Sequence, residues 1–501
     1  MFDQLSQHSK SLHQRAFQTN EGDPHYHETQ EIDFDGSQIT VPKGDVLYQF
    51  RQDTRNGQLP AVSWLCAPQN FSDHPSAPMY GAWYVSEILN ILTENPEVWK
   101  KTIFILNYDE NDGYFDHIPP FVAPKPGDPD TGRTSPDLDY SSEYVTREQE
   151  IADGVEEQYA TEGPVGLGYR VPLIVASPWT KGGWVNSEVC DITSTIQFME
   201  HFLSHKTGKP ITEENISSWR RAITGDLTSV FRPFQSGRET MPPFLDRNAQ
   251  VAAINRAKDE PAPNGFKKLD AVEINAVRSG KIIGASPPQE SGVKPSSALA
   301  YELYVHEEWQ GGTLKLRFES NKKFFGEQTL GAAFNVYAYG YQSPQAYWSF
   351  ACSAGNTVSH QWESSRFENS LFSLAIHGPN GFYRAIESAA VLTDPQIQLA
   401  YDAQREELIF TLKNTSPQAL SFQLKDAYQE RNRPILKIAA GKEKQVRISV
   451  KEQHRWYDIT FSQPGSRFRR QYAGRLENGK VSTSDPLMGK NTSNRPFSQR
   501  S

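Results

Sequence analysis

Beyond about residue 290 the hydrophobic pattern takes a two-residue period and keeps it, which commits that part of the chain to β-structure. Leu303-Tyr304-Val305, Leu314-Lys315-Leu316-Arg317-Phe318 and Phe334-Asn335-Val336-Tyr337 alternate or nearly alternate. A second set follows in Ile397-Gln398-Leu399, Leu408-Ile409-Phe410-Thr411-Leu412, Gln445-Val446-Arg447-Ile448 and Trp456-Tyr457-Asp458-Ile459. Short strands at this spacing, with Gly and Asn turns between them, predict β-sandwiches. Two successive units are expected, over 291–390 and 391–490, each with its own core. Trp309 and Trp348 are expected in the first and Trp456 in the second.

The stretch from 59 to 205 follows a different rule. Ala61 to Ala67, Thr102 to Leu106 and Val171 to Ala176 are short continuous apolar runs of the kind buried parallel strands show. Between and after them lie helical stripes, Tyr84, Ile88, Ile91 and Leu92, then Ile192, Ile196, Met199 and Leu203 behind an Asp191 cap. Strand, helix, strand, long loop, strand, helix predicts an α/β fold with a mostly parallel sheet. We place this domain over 1–205, with residues 1 to about 58 as an irregular approach. Residues 206–290, broken by Arg232-Pro233 and Pro261-Ala262-Pro263, read as an irregular linker or excursion.

Composition removes several classes of function. The chain has 501 residues, ample for a core without staples, and a net charge of -9 that argues against a general nucleic-acid binder. No apolar run reaches about 18 residues, so no membrane-spanning helix is expected. Cys66, Cys190 and Cys352 are too scattered for a disulfide framework or a CxxC metal site. His8, His13, His25 and His27 read as solvated loop residues in preference to ligands.

Three segments carry chemistry. In Asn107-Tyr108-Asp109-Glu110-Asn111-Asp112-Gly113-Tyr114-Phe115-Asp116-His117, two adjacent carboxylates directly follow a buried strand. Hard oxygen donors there suit a divalent metal, and His117 could add a nitrogen. On this segment alone an ordinary acidic turn is the alternative. Ser72-Asp73-His74-Pro75 lies between a predicted strand and helix, so His74 is expected at the same sheet edge. Gly166-Leu167-Gly168-Tyr169-Arg170 precedes a strand, which excludes a dinucleotide fingerprint.

These segments, with "NFSDHPSAPMYGAWYVSEILNIL", "GLGYRVPLIVASPWTKGG" and "YDITFSQPG…RRQYAGRLENGK", resemble the bacterial phosphocholine-preferring phospholipases C of the alkaline-phosphatase-like superfamily. The resemblance runs from about residue 10 to 490. It implies a catalytic domain followed by two small β domains. It also implies that Asp109 and Glu110 are divalent-metal ligands, that His74 contacts phosphate or protonates the leaving group, that Arg170 neutralises phosphate, and that His117 belongs to the site. The implied activity is hydrolysis of the glycerol-side P–O bond of phosphatidylcholine-like phospholipids, with peripheral contact to a membrane surface. The implied location is periplasmic or secreted.

The sequence departs from the family in two places. The family's twin-Arg signal, its Glu-Asn-Arg-Ser-Phe-Asp-His motif and its nucleophile loop are absent, and Ile192 stands where the family usually has His. The expectation is that the chain begins inside the catalytic domain and shows no metal-dependent phosphocholine release alone. Two alternatives stay open, a phosphomonoesterase of the same superfamily and a non-catalytic remnant that binds lipid or a partner.

Overall fold

The computed structural model describes residues 14–18, 29–67, 71–74, 79–116, 118–234, 243–257, 260–262, 264–265, 267–278, 292–343, 345–389, 395–429 and 435–488. His117 and His8, His13, His25 and His27 lie outside the described residues. The chain divides into two compact units, one of Met1–Ile105, Ile174–Lys181 and Arg232–Ile274, the other of Leu106–Leu173, Gly182–Phe231 and Asn275–Ser501. No helix of the described residues is long and apolar enough to cross a membrane.

In chain order the first strands are β1 (Gln14–Gln18), β2 (Thr29–Phe34), β3 (Ser37–Pro42), β4 (Val62–Cys66) and β5 (Phe104–Asn107). They are followed by β6 (Gly132–Thr134), β7 (Tyr144–Val145), β8 (Gly163–Pro164) and β9 (Leu173–Ala176). Among the described residues β1 pairs with β4 in parallel, and β5 pairs with β9. Among the described residues these are two-stranded ribbons, where a mostly parallel sheet was expected. β2 and β3 form a hairpin inside the stretch predicted as irregular. Its Asp35-Gly36 turn has φ of 52° and 73°, and Asp-Gly favours the two left-handed positions a tight hairpin needs.

The first unit's core lies on the predicted helix. Helix Tyr80–Thr93 buries Trp83, Tyr84, Ile88, Ile91 and Leu92 against Val46, Leu47, Phe50 and Phe71. Helix Arg247–Ala257 buries Val251 and Ala252 with Ile39 and Val41 of β3. The stretch 206–290 therefore contains packed helices, Arg247–Ala257 among them and Ser218–Ile223 in the second unit with Trp219 fully buried. At 6 and 11 residues they give too short a period to stand out between the prolines.

The second unit carries the β-rich half. After β10 (Pro295–Ser296) come β11 (Leu303–Gln310), β12 (Thr313–Ser320), β13 (Ala332–Ala338), β14 (Tyr347–Cys352), β15 (Thr357–Glu363), β16 (Leu371–His377) and β17 (Tyr383–Ala389). The second set is β18 (Gln396–Asp402), β19 (Glu407–Lys413), β20 (Leu420–Asp426), β21 (Leu436–Ile438), β22 (Glu443–Ser449), β23 (Trp456–Ser462) and β24 (Arg469–Arg475). A final β25 (Ser482–Thr483) pairs back to β10. Three-stranded sheets β11-β12-β15 and β18-β19-β22 accompany one nine-stranded sheet ordered β21-β20-β23-β24-β17-β16-β13-β14-β6.

Two apolar clusters result, one around Phe318, Phe334, Phe350 and Trp348, the other around Phe410, Phe422 and Phe461. Each fully buried ring contributes roughly 1.5–3 kcal/mol of transfer free energy. The sets share a sheet because β17 pairs with β24, from Tyr383↔Ala473 to Glu387↔Arg469. Buried arginines tie the seam. Arg384 donates to the hydroxyls of Tyr401 (2.9 Å) and Tyr457 (3.2 Å), and Arg470 donates to both carboxylate oxygens of Glu307 (2.9 and 2.8 Å). Trp309 packs against the first cluster as expected, but Trp456 is buried outside the second. Its ring comes within 2.9 Å of where a Gly381 Cβ would stand, and its indole N–H donates to the Thr483 carbonyl at 2.9 Å.

Candidate active site

The acidic loop leaves β5 directly. The Tyr108 N–H donates to the Pro172 carbonyl at 3.2 Å, and Asn107 Nδ2 donates to the Tyr108 carbonyl at 2.9 Å. Asp109 and Glu110 follow, both exposed, and among the described residues neither makes a hydrogen bond or ion pair. Their neighbours shape the loop. Asn111 Oδ1 accepts from the Gly113 N–H at 2.7 Å and Asp112 Oδ1 from the Tyr114 N–H at 3.0 Å, two Asx turns in succession.

Arg170 closes this loop. Its backbone N–H donates to Asp116 Oδ2 at 3.1 Å, its guanidinium pairs with Asp116, and its Nη2 stands 3.6 Å from Asp112 Oδ2. Asp116 first, then Asp112, raise its pKa above the usual value. The resemblance implies a phosphate contact for Arg170. Its half-exposed guanidinium bridges Asp116 and Asp112, so it also holds the turn that presents Asp109 and Glu110.

A buried cluster that sequence reasoning missed is centred on Arg220. The Gly166 carbonyl accepts from Arg220 Nη2 at 2.9 Å, and a Cβ on Gly166 would come 2.6 Å from Val122 Cγ1 at a φ of +65°. Arg220 also donates to Glu143, with its Nε at 3.0 Å, and pairs with Asp191. Burial works against its charge, but hydrogen bonds to Glu143 and Asp191 outweigh it and its pKa lies above the usual value. Asp191 in turn caps helix Ile192–Thr207, accepting from the Thr193 N–H at 2.9 Å. The predicted cap is therefore present with a second duty. The stripe is only partly apolar: Met199 and Leu203 are buried with Ser194 and Gln197, whereas Ile192 is 49% exposed.

His74 belongs to the first unit, in the loop after β4. Asp73, at φ 58°, accepts from the Gly81 N–H at 2.7 Å and so fixes the loop to helix Tyr80–Thr93. Phe71 stacks on Tyr84 with ring centroids 6.0 Å apart. His74 is exposed beside these anchors.

Asp109 and Glu110 are the right donor type for a divalent ion, but zinc takes four ligands and calcium six to eight. Among the described residues no group of three or more His, Cys, Asp or Glu side chains could hold a metal. The described residues therefore do not fit a complete metal site. Nor do half-buried Cys190 and buried Cys352 offer a nucleophile, since desolvation pushes both thiols up to about 12.

Comparison with known proteins adds to this geometry. Residues 4–204 match the model of the phosphoesterase family, and residues 295–387 and 395–475 each match the bacterial phospholipase C C-terminal domain. The chain is 34% identical over 460 residues to a non-hemolytic phospholipase C of Burkholderia pseudomallei, covering 89% of this chain and 60% of that one. It is 35% identical over 462 residues to the non-hemolytic phospholipase C of Pseudomonas aeruginosa, covering 89% and 61%. The hemolytic phospholipase C of Pseudomonas aeruginosa is 31% identical over 470 residues, covering 88% and 59%. The chain thus spans about three fifths of the length of these curated relatives.

Proposed function

We propose that this chain, similar over most of its length to bacterial phospholipases C, serves phospholipase C-type hydrolysis of phosphodiester bonds in phosphatidylcholine-like lipids. The observation that carries this is the order of domains: one phosphoesterase match followed by two copies of the phospholipase C C-terminal domain, within a single alignment at 34–35% identity. In the proposed reaction the phosphorus–oxygen bond to the diacylglycerol breaks, a water oxygen ends on phosphorus, and the glycerol oxygen leaves with a proton. His74 is proposed to supply that proton. Asp109 and Glu110, held out by the Arg170 turn, are proposed to face the phosphoryl group; they would supply two ligands to a divalent ion, whose chemistry there would be to polarise that group. His117 is proposed to join them. Contact with a membrane surface and an exported location belong to the same proposal.

The test uses the natural protein that carries this sequence. Phosphocholine release from phosphatidylcholine vesicles is compared with hydrolysis of a phosphate monoester, with and without Glu110→Gln. We expect diester turnover to dominate and the substitution to lower it by about a hundredfold or more, with reduced bound metal. Faster monoester than diester turnover would show a phosphomonoesterase. Turnover indifferent to Glu110→Gln would remove the acidic loop from the site.

A further inference from the structure

An open cleft of about 720 Å³ lies in the second unit, between the 128–133 segment and β15. Its one wall exists because β6 is bound in parallel to β14, with Gly132 opposite Ser349 and Arg133 opposite Phe350. The other wall is β15 and the turn after it, carrying His360, Glu363 and Arg366. The volume falls within the range of small-molecule sites, roughly 300–1,000 Å³.

Four exposed charged side chains in this cleft are left open. Among the described residues, the side chains of Arg133, Arg366, Asp130 and Glu363 form no ion pair and no hydrogen bond, although all four line the cleft. Lys315 and Asp128 also line it but are engaged, Lys315 with Glu308 at 3.4 Å and Asp128 with the Asp130 N–H at 3.0 Å. Arg366 is held in place, its guanidinium 5.5 Å from the centre of the Tyr341 ring. His360 adds a polar atom without a partner, since its Nδ1 is buried and makes no hydrogen bond. Burial, and then Arg133, push His360 down to about 4, so its ring is neutral at pH 7.

Two open cations and two open carboxylates in one concavity select against a ligand of single sign. An anion drawn to the arginines meets the carboxylates, and a cation meets the arginines. A molecule carrying both charges matches both sets. We propose that this cleft binds a small zwitterion, its oxyanion taken by the forks of Arg133 and Arg366 and its ammonium group by Asp130 and Glu363. Phosphocholine is the representative of this class, and that choice rests on the phospholipase C proposal. The charge pattern itself stands whether or not the acidic loop cleaves lipids.

Calorimetric titration of the natural protein decides the matter, with phosphocholine, choline, inorganic phosphate and the neutral disaccharide maltose as probes. We expect saturable phosphocholine binding, at least about tenfold tighter than either choline or phosphate. Arg133→Ala and Glu363→Gln should each weaken it about tenfold or more, with thermal midpoint and diester turnover unchanged. Glu110→Gln should lower turnover by about a hundredfold or more and leave this binding intact. Phosphocholine binding equal in Arg133→Ala, Glu363→Gln and the unsubstituted protein would overturn the inference. So would no saturation below about 10 mM, or maltose competing as well as phosphocholine. Absent turnover with intact, Arg133-dependent binding would sink the hydrolytic proposal alone.

Discussion

Arg220 shows how a single residue ties distant segments together without being legible in advance. Its partners stand 77, 29 and 54 positions away, at Glu143, Asp191 and Gly166. Nothing in the local pattern around Ser217-Ser218-Trp219-Arg220 announces them. Asp191 was legible as a cap because capping is a contact over two or three positions, and its second contact was not. The Glu143 and Asp191 side chains are 5% and 1% exposed, so removing the guanidinium leaves two carboxylates buried without compensation. We expect Arg220→Met to cost about 3–5 kcal/mol by urea denaturation, with faster amide exchange at Gly166 to Arg170. A loss under about 1 kcal/mol would mean that water replaces the arginine and that the cluster does not support the loop.

At the scale of elements, strands with a strong alternation or a marked turn are locally encoded, and the short ones are not. The Asp35-Gly36 turn could have revealed the hairpin of β2 and β3, since Asp-Gly between strands is a strong local signal. The three residues of β6 carry no such pattern. Their place is decided by β14, against which Gly132 lies so closely that a Cβ would stand 1.8 Å from the Ser349 carbonyl oxygen. At φ 131° and ψ -166° the backbone is also in a region essentially reserved for glycine. Gly132→Ala therefore combines strain with overpacking, and we expect a loss of about 2–5 kcal/mol, measured as a lowered denaturant midpoint. Exchange protection at Ser135, whose N–H donates to the Ala351 carbonyl at 2.9 Å, should fall with it. Unchanged protection there would show that β6 stays in register by shifting its neighbour.

For the whole molecule, the two β sets have separate apolar clusters but share a sheet, and this predicts linked unfolding. Phe461 is fully buried in the second cluster, with its ring centroid 4.9 Å from that of Phe410. Phe461→Ala should cost about 3–5 kcal/mol. Because β24 pairs with β17 and Arg470 reaches Glu307, the loss should also raise exchange at Val336 and Phe350 in the first cluster. Faster exchange confined to β18–β24 would show two independent domains instead. By itself the sequence determined strand character beyond residue 290, its doubling, the Tyr80–Thr93 helix stripe and the candidate acids after β5. Each of these is carried by side-chain size and polarity at neighbouring positions, which periodicity records directly. Tertiary structure decided which strands became neighbours, the seam between the two sets, the partners of Arg170 and Arg220, and the cleft beside β6. Backbone hydrogen-bonding groups are the same at every residue, so strand neighbours far apart in sequence are selected by packing of the whole, and no local pattern contains them.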